Sequence, residues 1–293
     1  MGKLRELACQ PVLDFLVTEF ETGKWGMVTN NAETIILGHA TSADVVSGSA
    51  WMEKLYGREN STMDICYEWS KRLADGSLQL IAISKMTTTW VAILEHGIVE
   101  VRPLPEHFQQ GIVDMMPQAG TAPSTWQMPE RVKLGRELCR IAPGPGNKAL
   151  LREQFFDTAL EESNLVGNVY YANYYVWQGR IINQFFYQIA PAFYRGVGEQ
   201  GEFRCTLTKV DHLREAMPFD RIAVKMSLGA IYECGVQLLF DYYKVNEDGS
   251  YMKLATGEHQ AAWFIPSGAN HGEQGALPEV FRNALLLKAG ISS

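Results

Sequence analysis

The stretch Glu161-Glu162-Ser163-Asn164-Leu165-Val166-Gly167-Asn168-Val169-Tyr170-Tyr171-Ala172-Asn173-Tyr174-Tyr175-Val176-Trp177-Gln178-Gly179-Arg180 decides how the rest of this chain is read. Two acids and a Ser-Asn pair open it, residue types that suit turns and helix caps. The chain then runs without proline, and rich in aromatic residues, as far as Pro191. Tyr170, Tyr174, Trp177, Ile181 and Phe185 follow one another by three or four residues. That spacing predicts one face of a helix. About 22 residues at 1.5 Å each give a helix of roughly 33 Å, enough to cross a small domain. Asn173, Gln178, Arg180, Asn183 and Gln184 fall on the other faces. Taken alone, the segment is a core helix with a wetted side.

Working outward, the sequence repeats itself. Asp75-Gly76-Ser77 recurs as Asp248-Gly249-Ser250, an offset of 173 residues. At that offset Ala82 meets Ala255, Trp90 meets Trp263, and Leu104-Pro105-Glu106 with Phe108 meets Leu277-Pro278-Glu279 with Phe281. Carried upstream without a gap, it matches His39 with His212, Ala50 with Ala223, Leu55 with Leu228 and Phe20 with Phe193. One register held over such a span predicts two copies of one architecture. Each copy reads as a helix followed by an antiparallel meander. Strands are expected near 203–209, 221–230, 234–245 and 253–265, and in the first copy near 34–38, 50–55, 63–73 and 79–94. Asp75-Gly76 and Asp248-Gly249 supply the hairpin turns. The fold class is thus α+β, two antiparallel sheets each wrapped on a long helix. The first copy, 1–114, begins inside its helix at about 7–20 and has no leading strand. A Pro- and Gly-rich linker spans 115–148, and the second copy, 149–293, alone carries the opening motif. A His repeated in both copies, as His39 and His212, suits a shared structural role.

Composition narrows the function. Of 293 residues, 46% are hydrophobic and 20% charged, an ordinary soluble balance. A net charge of −7 and the lack of a basic stripe argue against nucleic acid as a partner. No apolar run approaches the ~20 residues of a membrane span, and Met1-Gly2-Lys3-Leu4-Arg5-Glu6 leads into no apolar signal core, so neither a span nor a secretory signal is expected. Cys9, Cys66, Cys139, Cys205 and Cys234 are odd in number and lack CxxC spacing. That predicts neither a disulfide framework nor a metal site, and a reducing cytoplasm fits best. Nucleotide-binding, zinc-protease and serine-hydrolase motifs are absent.

A long helix wrapped by an antiparallel sheet, with a polar loop before it, looks like the hotdog fold. Asn164-Leu165-Val166-Gly167-Asn168-Val169-Tyr170-Tyr171, Asn173-Tyr174 and Trp177-Gln178-Gly179-Arg180 closely resemble the motif of the hotdog thioesterases found with enediyne polyketide synthases. The likeness covers about 151–264, so the whole resembles a double hotdog in one chain. The resemblance implies an acyl-pantetheine arm entering between paired units, with acyl carrier protein or acyl-CoA as partner. It implies no cofactor of the protein's own, because phosphopantetheine arrives on the substrate. It also implies an intramolecular pseudo-dimer, open to further self-association. Many relatives carry Asp where Asn164 stands; the enediyne branch carries Asn. An Asn orients water or polarises the thioester carbonyl but is no general base.

Backbone amides near Val169, Tyr170 and Tyr171, at the expected helix start, would form an oxyanion hole. Gly167 and Asn168 complete the substrate-binding stretch. Tyr174 matches a family site tyrosine, with core packing as the alternative. Arg180 could hold a carboxylate or oxyanion. The branch's functional Arg falls two positions on, where this chain has Ile182. Glu161 and Glu162 are candidate bases for water or, as is usual before a helix, dipole-favoured caps. The expected reaction is hydrolysis of a fatty or polyketide acyl thioester. The alternatives are acyl transfer or decarboxylation of a malonyl-type thioester, and acyl-carrier binding without turnover.

Overall fold

The structure, a computed structural model, describes residues 25–95, 98–106, 109, 128–141, 149–164, 167–195, 201–265 and 272–291. The helix expected at 7–20 lies outside them. The chain divides into two compact units. One gathers Met1–Glu130 with Leu160–Tyr170 and Glu215–Pro218, and the other takes the rest.

The first unit contains β1 (Trp25–Ile36), β2 (Val46–Tyr56), β3 (Thr62–Arg72), β4 (Leu78–Glu95) and the short β5 (Ile98–Val101). Its antiparallel order is β2-β3-β4-β1, with β5 folded back on the end of β4. Ile35, Met63, Tyr67, Met86 and Trp90 are its largest fully buried side chains.

The second unit contains β6 (Glu137–Arg140), β7 (Ala149–Asp157), α1 (Ala172–Ile189), the single turn α2 (Ala192–Arg195), β8 (Glu202–His212), β9 (Arg221–Tyr232), β10 (Gly235–Val245), β11 (Tyr251–Phe264) and α3 (Glu279–Lys288). The ladder runs β7-β9-β10-β11-β8, all antiparallel. The first and last members of that ladder are the two strands joined through α1. β6 lies inside the stretch expected to be linker, 115–148. Its place follows from the edge of β9: the β7 ladder stops at Ala149 opposite Leu228, and β6 continues it opposite Ala230–Tyr232. Backbone groups on that edge would otherwise lack partners.

The two meanders match in detail. Under the 173-residue offset β3 falls on β10 end for end, and β4 and β11 start together. Both hairpins close the same way. Asp75 Oδ1 accepts the Ser77 amide at 2.9 Å and Asp248 Oδ1 that of Ser250 at 2.9 Å, with Gly76 at φ +84° and Gly249 at φ +79°. Those positive φ values are why glycine stands there. Upstream of β3 the ungapped register of the sequence reading fails. Ile36 and His212 pair with the equivalent residues Ala82 and Ala255. Ala50 and Met226 likewise oppose Tyr67 and Phe240.

The offset there is therefore 176. The extra residues sit between β2 and β3, where Arg58–Asn60 forms a 3-10 turn absent from the tight β9–β10 connection. His212 thus corresponds to Ile36, and His39 to Glu215. With this correction three bulges coincide. Asn30 and Thr206, Glu53 and Gly229, and Ile81 and Leu254 are the residues skipped in the two ladders. Each bulged carbonyl of the last pair accepts two successive amides, Leu37 and Gly38 in one unit and Leu213 and Arg214 in the other.

α1 is shorter than expected. It spans 18 residues from Ala172, which leaves Tyr170 outside the helix. It ends at Ala190 before Pro191, where a proline disfavours helical backbone in the residue before it. Its buried face is Tyr174, Trp177, Gln178, Ile181, Ile182, Phe185 and Phe186, a stripe with a helical 3–4 period. Gln178, expected on a wetted face, is 1% exposed. It is satisfied from β8: Thr208 Oγ1 donates to its Oε1 at 2.8 Å, and its Nε2 donates to the Lys209 carbonyl at 3.4 Å. Gly257 beneath it leaves the room, since a Cβ there would lie 2.7 Å from Gln178 Nε2. α3 seals the far end by seating Phe281 among Phe186, Phe193, Phe203 and Trp263, with ring centroids 5.1 to 5.6 Å apart.

Candidate active site

The polar preface to α1 folds as a small hairpin within the first unit. Leu160–Glu162 makes one 3-10 turn, and Ser163 donates to the Leu160 carbonyl through its amide at 3.0 Å and its hydroxyl at 2.6 Å. Ser163 then pairs with Val169 in an antiparallel bridge. Inside that bridge the Asn164 amide donates to the Asn168 carbonyl at 2.9 Å, and the Gly167 amide donates to the Asn164 carbonyl at 3.0 Å. Gly167 sits at φ +89°, which a side chain would strain. The backbone therefore fixes Asn164 and Asn168 as neighbours across the hairpin.

The oxyanion hole expected from the Val169 and Tyr170 amides is not available in this arrangement. The Val169 amide donates to the Ala216 carbonyl at 2.8 Å and the Tyr170 amide to the Glu162 carbonyl at 2.7 Å. Both donors are thus engaged, one tying the hairpin to the connection between β8 and β9 and the other to the 3-10 turn before it. The helix begins at Ala172, further along the chain than expected. Asn164, Glu162, Gly167 and Tyr170 are half-buried, and Asn168 and Val169 are buried.

The helix residues proposed from sequence sit in the second unit. Tyr174 is 1% exposed, with its ring 4.6 Å from His212, 4.9 Å from Tyr242 and 5.0 Å from Trp177. The Tyr242 hydroxyl donates to the Tyr174 carbonyl at 3.2 Å. That is a core position. Tyr171 is buried, edge-on to Tyr175. Arg180 is exposed, with its guanidinium 5.6 Å above the Phe156 ring. Ile182, two positions on, is part of the buried stripe. Burial pushes His212 and His259 down to about 4, so both rings are neutral at pH 7.

One ionisable residue escaped the sequence reading. Glu215 lies in the connection from β8 to β9, and the Asn168 side-chain amide donates to its Oε2. Burial pushes its carboxyl up to about 7, and the Asn168 hydrogen bond opposes that rise. No motif marks it. It is a lone acid between Arg214 and Ala216, and only the folded chain brings it to the hairpin. Among the described residues no group of three or more His, Cys, Asp or Glu side chains could hold a metal ion, and no helix is long and apolar enough to cross a membrane.

No family model matches the sequence, and no curated protein matches it. Solved structures do match. A dynemicin thioesterase is 27% identical over 47% of this chain and 96% of its own, with a TM-score of 0.44. An acyl-ACP thioesterase from Bacteroides thetaiotaomicron is 12% identical, covers 84% of this chain and 80% of its own, and has a TM-score of 0.50. The 12:0-ACP thioesterase from Umbellularia californica is 8% identical, covers 84% and 78%, and has a TM-score of 0.54. With the last two likenesses and the β7-β9-β10-β11-β8 ladder joined through α1, the chain has the hotdog fold of the acyl-ACP thioesterases it resembles.

Proposed function

We propose that the chain hydrolyses an acyl thioester carried on a carrier protein or on CoA. The observation that carries this reading is the hairpin of residues 163–169, placed directly before α1 and holding Asn164 and Asn168 side by side. The fold likeness to acyl-ACP thioesterases supports it. The Asn164 side-chain amide polarises the thioester carbonyl, a task open to an Asn and closed to a hydrocarbon. The reading extends to a double hotdog, and the three coincident bulges and two matching Asp-Gly turns support that. The substrate class is a fatty or polyketide acyl chain on a phosphopantetheine arm.

The test is thiol release from a panel of acyl-ACPs and acyl-CoAs of different length and oxidation. Turnover of at least one member is expected, and no release above background from any of them would overturn the reading. Asn164→Ala is expected to lower kcat by roughly 10²-fold, the usual cost of one polarising donor. Alanine keeps the residue's backbone amide and carbonyl, through which Asn164 closes the hairpin, so the loss reports on the side chain. An unchanged rate would place the chemistry elsewhere.

A further inference from the structure

We propose that Glu215 is the general base of this hydrolysis, oriented by Asn168. The proposal rests on the thioesterase reading above and assigns the proton transfer that reading leaves open.

Attack by water on a thioester needs an acceptor for the water's proton. Asn164 cannot supply one, because an amide has no basic site near neutral pH. The acids before the helix, Glu161 and Glu162, were the sequence's candidates. Glu161 is exposed, and the backbone carbonyl of Glu162 is engaged by Tyr170. Glu215 differs from both. Its carboxylate is tied to the hairpin by the Asn168 amide, and Asn168 is only 5% exposed. The same Asn168 presents Oδ1 as a buried acceptor with no hydrogen-bond partner among the described residues. Asn168 is next to Asn164 across the hairpin, through the Asn164 amide and the Asn168 carbonyl. The hairpin that carries Asn164 thus also carries a buried unpartnered acceptor, Asn168 Oδ1, and holds a carboxylate from the connection between β8 and β9.

The surroundings suit a base at neutral pH. Burial holds the carboxyl near 7, where a base combines a useful unprotonated fraction with a strong pull on the proton. Asn168 is the only hydrogen-bonding group acting on it among the described residues, and no charged side chain contributes. Arg214, its chain neighbour, is turned to the Lys253 carbonyl at 3.1 Å.

The step balances. The carboxylate takes one proton from water while the oxygen's electron pair forms a bond to the carbonyl carbon. The tetrahedral adduct then expels sulfur by breaking the C–S bond. The sulfur keeps that electron pair and receives the proton back from Glu215, leaving a carboxylic acid and a free thiol.

The experiment is a pH profile of kcat/KM for the full chain on its best substrate, beside Glu215→Gln and Asn168→Ala. Wild type is expected to gain activity with rising pH through an inflection near 7. Glu215→Gln keeps the shape and an oxygen acceptor for Asn168, so a structural role predicts near-wild-type turnover. The proposal predicts a loss of about 10²-fold or more, the usual contribution of general-base catalysis, and no inflection near 7. Asn168→Ala removes the one interaction that lowers the Glu215 pKa and is expected to move the inflection upward. An active wild type with Glu215→Gln within threefold of it would overturn this assignment and leave the thioesterase reading standing. A wild type inactive on every thioester would overturn both.

Discussion

Trp177→Ala is expected to lower the stability of the second unit by about 3–5 kcal/mol, the range for emptying a large aromatic site in a packed core. Trp177 is 1% exposed and stands where three other rings meet: Phe156 at 5.6 Å, Tyr174 at 5.0 Å and Tyr242 at 6.4 Å. Phe156 is on β7, Tyr242 on β10, and Trp177 and Tyr174 on α1, so the indole joins three elements of the unit. β7 and β10 are both laddered to β9, which limits collapse into the space and puts the cost near the upper part of the range. Val176, the preceding residue, is 52% exposed and provides the control; Val176→Ala is expected to change stability by no more than about 0.5 kcal/mol. Urea unfolding followed by circular dichroism reads both. A loss below about 1.5 kcal/mol for Trp177→Ala would mean that α1 does not close on the sheet as described.

The second large effect is on pH dependence. His212 and His259 are held down from 6.5 to about 4 by burial. Between those values the unfolded chain binds two protons that the folded chain refuses, so acid favours unfolding. Glu215 works the other way. Its carboxyl is raised from 4.5 to about 7, so in the same interval the folded chain keeps a proton that the unfolded chain releases. Two imidazoles against one carboxyl leave one proton in favour of the unfolded state. Stability is therefore expected to fall by about 1.4 kcal/mol for each pH unit between roughly 6.5 and 4.5, or about 3 kcal/mol over the interval. Glu215→Gln removes the opposing group, and the slope is expected to rise to about 2.7 kcal/mol per unit. Urea midpoints at a series of pH values, in both proteins, measure the two slopes. A wild-type stability that rises toward acid would show that the imidazoles titrate normally, and equal slopes in the two proteins would show that Glu215 does.

The aromatic stripe of α1 was readable because a helix buries residues at a fixed period, and Tyr174, Trp177, Ile181 and Phe185 keep it. Its start was not. Tyr170 fits the period, yet α1 starts only at Ala172, and Tyr170 belongs to the loop before it, its amide on the Glu162 carbonyl. Gln178 was misplaced for a related reason. A polar side chain is taken as solvent-facing unless partners are known, and Thr208, Lys209 and the space over Gly257 come from strands that lie far along the chain.

The sequence by itself marked the internal repeat, the strands of the second meander, β2 to β4 of the first and the Asp-Gly turns, because these depend on local spacing and on backbone angles that only certain residues tolerate; it placed the first strand at 34–38, where only the last three residues of β1 lie. It also marked Asn164, Gly167 and Asn168 as one polar unit before a helix. Tertiary structure alone decided the true register upstream of β3, since a loop three residues longer in one copy leaves no trace in the strands beside it, whereas paired backbones count residue by residue. It alone withdrew the Val169 and Tyr170 amides from the expected oxyanion hole. It alone brought Glu215 to Asn168, a meeting of residues separated by a helix and a strand, where burial makes an ordinary surface acid into one that titrates near neutrality.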